Sequence, residues 1–142
     1  MKREFLYPAA LELKQTSKSS RMADFLGIHL ETDSNCFHLS VYDKRKEFPF
    51  RVRKYPMMAS LIPRTIPYGV FWGQLHRGYR ICSGADDFVS NGVEVAEILR
   101  DNGCAVNKSK RLFMAFVAKN SPRRSNWVEK QFFQRLGSRI RG

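Results

Sequence analysis

The 142-residue sequence predicts an α+β fold: a small antiparallel β-hairpin or sheet followed by a bundle of three to four helices. Three observations predict it. Before residue 55, apolar side chains alternate with period 2, as in half-buried strands. After Pro67 they recur every three to four positions, as on the packed face of a helix. Apolar residues make up 43% of the chain and include 11 Phe, enough for a real core, whereas disordered chains are poor in such residues. Strands first and helices afterwards is the α+β order.

The elements follow in sequence. A polar run, Gln15-Thr16-Ser17-Lys18-Ser19-Ser20, reads as a loop. Residues 25–31 read as a strand with Leu26, Ile28 and Leu30 on one face, and residues 37–42 as a second with Phe37, Leu39 and Val41 inward. Thr32-Asp33-Ser34-Asn35 has turn chemistry, so the two form an antiparallel hairpin. Residues 48–53 continue the alternation, with Phe48, Phe50 and Val52 inward, and Pro49, which cannot donate to a ladder, makes that strand an edge strand or a short one. The first helix covers residues 68–82, with Phe71, Leu75, Tyr79 and Cys82 at helical spacing. Ser83 or Asp86 is suited to cap a second helix that carries Phe88, Val95, Ile98 and Leu99 and stops at Gly103. Asn107 is suited to cap a third, with a stripe of Leu112, Phe113, Phe116 and Val117. A basic, Pro-containing joint at residues 120–126 leads to a fourth helix carrying Val128, Phe132, Phe133, Leu136 and Ile140. The expected organisation is a β region over residues 1–55, a helical region over 56–119 and a basic C-terminal helix or tail over 120–142.

Composition narrows the function. The three cysteines, Cys36, Cys82 and Cys104, form no CxxC pair, and His29, His38 and His76 complete no zinc spacing, so no metal site is expected. His29 and His38 could face each other across the hairpin, but without carboxylates they make a poor metal site. Asp86-Asp87 superficially matches the x-Asp-Asp pair at which polymerases hold two metal ions. Here the pair leads into a helical pattern, where early acids complement the helix dipole. Gly-x-Ser-x-Gly, Walker and Gly-x-Gly-x-x-Gly patterns are absent from the sequence, and no catalytic residue is assigned. No apolar run reaches the length of a membrane span, and an intracellular protein is expected, nuclear or cytoplasmic.

Charge is the strongest signal. The formal net charge is +12, and residues 106–142 hold 10 basic side chains against 1 acidic. Such a field suits a polyanion, because each phosphate contact releases condensed counterions. A second basic concentration lies at Lys44, Arg45, Lys46, Arg51, Arg53 and Lys54, interleaved with Tyr42, Phe48, Phe50 and Tyr55. Cations there can bind phosphates while rings pack on sugars or bases. The same residues also suit a basic edge strand protected against edge-to-edge pairing.

Tyr7-Pro8, Asp24-Phe25-Leu26-Gly27-Ile28-His29-Leu30, Val41-Tyr42-Asp43-Lys44-Arg45, Tyr55-Pro56, Ile62-Pro63, Tyr68-Gly69-Val70, Gln74-Leu75, Arg80-Ile81-Cys82-Ser83, Asp87-Phe88, Leu99 and Asn102-Gly103 occur in an order that resembles the carboxy-terminal part of retroelement reverse transcriptases. The likeness is greatest to those related to Penelope-like elements and spans roughly residues 7–116. It implies the end of the palm followed by a thumb-like helical bundle. Phe25, Leu26 and Gly27 match the hairpin motif of the primer grip, with Gly27 in place of a frequent acid. Tyr42, Lys44 and Arg45 match the strand that follows. Gln74, Arg77 and Arg80 match the start of the thumb, which lies along the template–primer duplex. The resemblance starts beyond the family's x-Asp-Asp strand and fingers, so it brings no catalytic carboxylate to this chain.

The implied function is that of a reverse-transcriptase fragment, contributing primer-grip and thumb contacts to a duplex without activity alone. The implied partners are an RNA–DNA or DNA duplex, held by its backbone, and the missing palm and fingers or a second copy of the chain; no membrane is expected. No cofactor is implied for the fragment, whereas the full-length parent enzyme would need Mg. The alternative is a basic RNA-binding or structural subunit of a ribonucleoprotein, with Phe132-Phe133 as a partner-facing patch. A small unrelated enzyme would instead need a pocket of His, Cys or Asp groups with perturbed pKa values.

Overall fold

The computed structural model describes residues 19–50 and 52–140, with side chains as far as residue 138. Tyr7-Pro8, residues 15–18 of the polar run, Arg51 and the Ile140 side chain lie outside the described residues. Three strands come first, β1 (Met22–Phe25), β2 (Ile28–Asp33) and β3 (Cys36–Val41), followed by α1 (Ile66–Ile81), α2 (Ala85–Asp101), α3 (Val106–Asn120) and α4 (Ser125–Ile140). The strands form one antiparallel sheet in the order β1-β2-β3. The α+β class is therefore as the sequence pattern indicates.

The strands differ from expectation in two places. Residues 25–31 are not one strand, because a two-residue turn at Leu26-Gly27 divides them; Leu26 has φ 48° and Gly27 φ 80°. Positive φ at both central residues is what a type I′ hairpin turn requires, and its twist matches that of the flanking strands. Phe25 pairs with Ile28 across this turn, while Leu26 stands 81% exposed rather than inward. The expected third strand at residues 48–53 is absent from the described part of that stretch. The chain instead makes a 3-10 turn at Lys44–Glu47, and Phe48, Phe50 and Val52 are exposed. Asp43 caps that turn by accepting the Arg45 N–H, and Pro49 has no N–H for a ladder.

The hairpin between β2 and β3 pairs Ile28 with Val41 and Asp33 with Cys36, so the turn narrows to Ser34-Asn35. The Asp33 carboxylate accepts the Ser34 N–H at 2.7 Å. In this register Ala23, Phe25, Ile28, Leu30, Thr32, Phe37, Leu39 and Val41 share one face. Phe25 and Phe37 on that face are each 72% exposed. His29 lies opposite Ser40 rather than His38, and it bonds Asp24 at 2.5 Å.

The core belongs to the helices. Phe71 and Leu75 of α1, Val89 and Leu99 of α2, Phe113 and Phe116 of α3, and Phe132 and Leu136 of α4 are fully buried. Tyr79, expected on the packed stripe of α1, is 43% exposed, and Tyr68 and Gly78 complete the stripe instead. Phe132 stacks on Phe113 with ring centroids 3.8 Å apart, which places it in the core and not on an open patch. The Ala105 N–H donates to the Tyr68 hydroxyl at 3.1 Å, and the Tyr79 hydroxyl donates to the Asn120 carbonyl at 2.8 Å. With one tyrosine near each end of α1, these bonds set α1 and α3 side by side and parallel.

The helix caps also depart from expectation. Gly84 precedes α2 and Ala105 precedes α3, neither with a side-chain cap bond. Ser83 is engaged elsewhere: its N–H donates to the Leu39 carbonyl at 2.9 Å, and its hydroxyl accepts the Leu39 N–H at 3.0 Å. It thus adds a rung to the outer edge of β3 and fastens the sheet to the α1–α2 junction. At α3 the Tyr68 hydroxyl takes an N–H of the helix start, the part expected of Asn107. Gly103 ends α2 at φ 91°, the left-handed conformation that glycine adopts without a Cβ clash.

Candidate nucleic-acid interface

The basic stretch after β3 is organised by one acid. Asp43 accepts hydrogen bonds from the Arg45 backbone N–H at 3.2 Å and from Arg45 Nε at 2.8 Å, and it also pairs with Arg45 Nη2. Lys54 Nζ stands 3.6 Å from the same carboxylate. Burial alone would raise this carboxyl. The Arg45 bonds and the Lys54 charge outweigh burial and hold it at about 2. Burial pushes the Lys54 ammonium down, opposed by Asp43. The Tyr42 hydroxyl donates to Glu47 at 2.7 Å, which pushes that phenol up to about 12. Asp43 is not singled out by the sequence pattern; an Asp that closes a turn on the backbone N–H two residues on is the local signal that marks it.

Many of the candidate cations are engaged within the chain. Lys46 Nζ pairs with Glu94 of α2 at 2.8 Å. Arg77 Nη2 donates to the Gly27 carbonyl at 3.3 Å, which joins the β1–β2 turn to α1. Two groups expected at the interface, the Phe25-Leu26-Gly27 turn and the Gln74–Arg80 part of α1, are therefore in contact. Gln74 is half-buried on α1. Lys44, Arg53 and Arg80 are exposed and form no ion pair among the described residues. Arg53 instead points a guanidinium nitrogen at the Met57 sulfur. Arg45, Arg53 and Lys54 together line a cavity of about 410 Å³ that Ile98 and Asn102 also line. Asp101 is the acid on its wall and pairs with Arg100 at 3.0 Å. Arg45 and Lys54 are held by Asp43, which leaves Arg53 as the cation of this recess without an acid partner among the described residues and open to a phosphate group.

The acids that resemble a polymerase pair stand in the first turn of α2. Asp86 pairs with Arg135 of α4 at 2.5 Å, and Asp87 with His38 Nε2 of β3 at 2.8 Å. His38 Nδ1 lies 3.2 Å from the Ser83 hydroxyl, so Ser83, His38 and Asp87 form a hydrogen-bonded chain. That chain lies where the sheet edge meets the bundle, and the Ser83 oxygen is already fixed to the Leu39 peptide. Among the described residues no group of three or more His, Cys, Asp or Glu side chains is placed to hold a metal ion. No described helix is long and apolar enough to cross a membrane.

Comparison with protein-family models, with curated proteins and with solved structures finds no significant match to this chain.

Proposed function

We propose that the chain is a nucleic-acid-binding piece of the reverse-transcriptase type, holding an RNA–DNA or DNA duplex by its backbone and having no polymerase activity of its own. One observation carries this reading: a net charge of +12 with exposed cations, Lys44, Arg53 and Arg80 among them, that no acid of the described residues neutralises. The colinear motifs from Asp24-Phe25-Leu26-Gly27 to Asn102-Gly103 supply the family part of the proposal. Backbone-directed contact of this kind is largely independent of sequence and falls steeply with salt.

The test is binding of the purified chain to an RNA–DNA duplex and to double-stranded DNA across a salt titration. The expected result is a log–log slope that falls by about 2 when Lys44→Gln and Arg53→Gln are combined, near 0.9 per cation removed. A folded sample that binds neither duplex at low salt refutes the proposal. The second reading, a structural subunit of a ribonucleoprotein, is favoured by the open apolar sheet face with Phe25 and Phe37. Under that reading the purified chain associates with a protein partner through the sheet while its salt-dependent duplex affinity stays weak.

A further inference from the structure

Apart from segment 44–54, where Arg45, Lys46 and Lys54 are paired with acids, cations also stand open at the end of the bundle where α1 and α3 finish. Arg80 lies in the last turn of α1, Lys119 in the last turn of α3, and Arg123 and Arg124 in the 3-10 turn that follows. All four are exposed, and none forms an ion pair among the described residues. The Tyr79–Asn120 bond of 2.8 Å ties these two helix ends together, and Arg80 and Lys119 each sit one residue from it. Arg124 lines a cavity of about 330 Å³ with Tyr79, Ser83 and Ser121. It shares an adjoining recess with Trp127 and Ala85.

Two further facts give this patch a character. The nearest acids of α2 are occupied, Asp86 by Arg135 and Asp87 by His38, and Glu129 is the one acid of the sequence after residue 105. The cations of this end therefore outnumber the one acid beside them in sequence, Glu129. Trp127 is 45% exposed and makes no ring contact with another aromatic among the described residues, unlike Trp72, which packs edge-on to Phe116. An open indole that shares a recess with an exposed arginine is an arrangement on which an unpaired base stacks while the backbone is held electrostatically.

We infer that this end of the bundle binds a single-stranded stretch of nucleic acid, with its phosphates on Arg80, Lys119, Arg123 and Arg124 and one base stacked on Trp127. The inference rests on the nucleic-acid reading above and adds to it the strand state and the place of contact. A merely structural role for the same cations also exists, because Arg80 and Lys119 complement the negative ends of their helices.

The experiment uses the full chain, a labelled oligo(dT) of about 12 nucleotides and a DNA duplex of similar length, titrated from about 50 to 200 mM salt. Thermal melts establish that each variant is folded. Combining Lys119→Gln, Arg123→Gln and Arg124→Gln is expected to lower the oligo(dT) salt slope by about 2, near 0.7 for each phosphate no longer neutralised. Trp127→Ala is expected to weaken oligo(dT) binding about tenfold and leave duplex binding unchanged. If the triple variant melts lower but binds oligo(dT) with an unchanged slope, the cations serve only their helices and the inference falls, while duplex binding through segment 44–54 stands. If Trp127→Ala weakens both ligands equally, base stacking falls. If the unaltered chain binds neither ligand, both this inference and the proposed function are overturned.

Discussion

Replacing Phe132 by alanine asks whether residues 125–140 belong to the core or ride on it as a detachable basic segment. The Phe132 side chain is fully buried and stacked on Phe113, with an angle of 8° between the rings. Truncating a buried Phe removes its transfer free energy and leaves a cavity, about 3–5 kcal/mol together. The stacked pair falls within that figure and accounts for about 0.5–1.5 kcal/mol of it. A domain of ordinary stability has about 5–15 kcal/mol in all, so the substitution removes a large share of it. The melting temperature should fall by roughly 6–20 °C at this chain length. Urea unfolding followed by tryptophan fluorescence is the assay, because Trp72 of α1 and Trp127 of α4 report from different helices. Both should shift together to a lower midpoint. A variant whose Trp127 signal disappears early while the main transition moves by less than about 1 kcal/mol would refute α4 as part of the cooperative core.

Two further predictions concern the sheet side of the molecule. Leu26 holds φ 48° with its side chain in solvent, a conformation that costs an L-residue about 1–2 kcal/mol and that Asn tolerates better. Leu26→Asn should therefore raise the urea midpoint by an amount equivalent to about 0.5–1 kcal/mol, and a lower midpoint would mean that Leu26 packs on something essential. The depressed Asp43 carboxyl contributes stability that is complete above its unfolded value near 4 and is lost as pH falls through about 2. Asp43→Asn should flatten the loss of stability between pH 4 and 2, measured as the difference in urea midpoint; an unaltered acid slope would show that Asp43 is not held by Arg45 and Lys54 in solution.

The helices are legible in the sequence because their packing leaves a periodic trace. Phe71 with Leu75, Phe113 with Phe116 and Val117, and Val128 with Phe132 and Leu136 repeat at helical spacing and are buried as that spacing requires. The sheet is harder to read. Leu26 is apolar in a turn that usually carries Asn or Asp, so its spacing to Ile28 imitates a continuous strand and only Gly27 betrays the break. Residues 48–53 alternate convincingly, yet alternation has no force where a capped turn and a proline remove the ladder. The cations of the candidate interface are legible by type but not by availability. Lys46 meets Glu94, which lies 48 positions further along the chain, and Arg77 meets the Gly27 carbonyl, both products of tertiary folding. The role of Ser83 is hidden for a similar reason, since nothing local to it announces the β3 edge.

None of the described residues before Tyr55 is fully buried, so the three strands lend no side chain to the shared core. Their order is borrowed through one seam, where Ser83 extends the β3 ladder and Arg77 grips the first turn. A unit joined in this way opens on its own energy scale. Amide protons of β1 and β2 are expected to exchange through partial openings far smaller than the event that exposes Phe113 or Phe132, as hydrogen-exchange rates would show. A ligand that orders the sheet then acts on a lightly held element, and the bundle beneath keeps its shape whether or not that element is engaged.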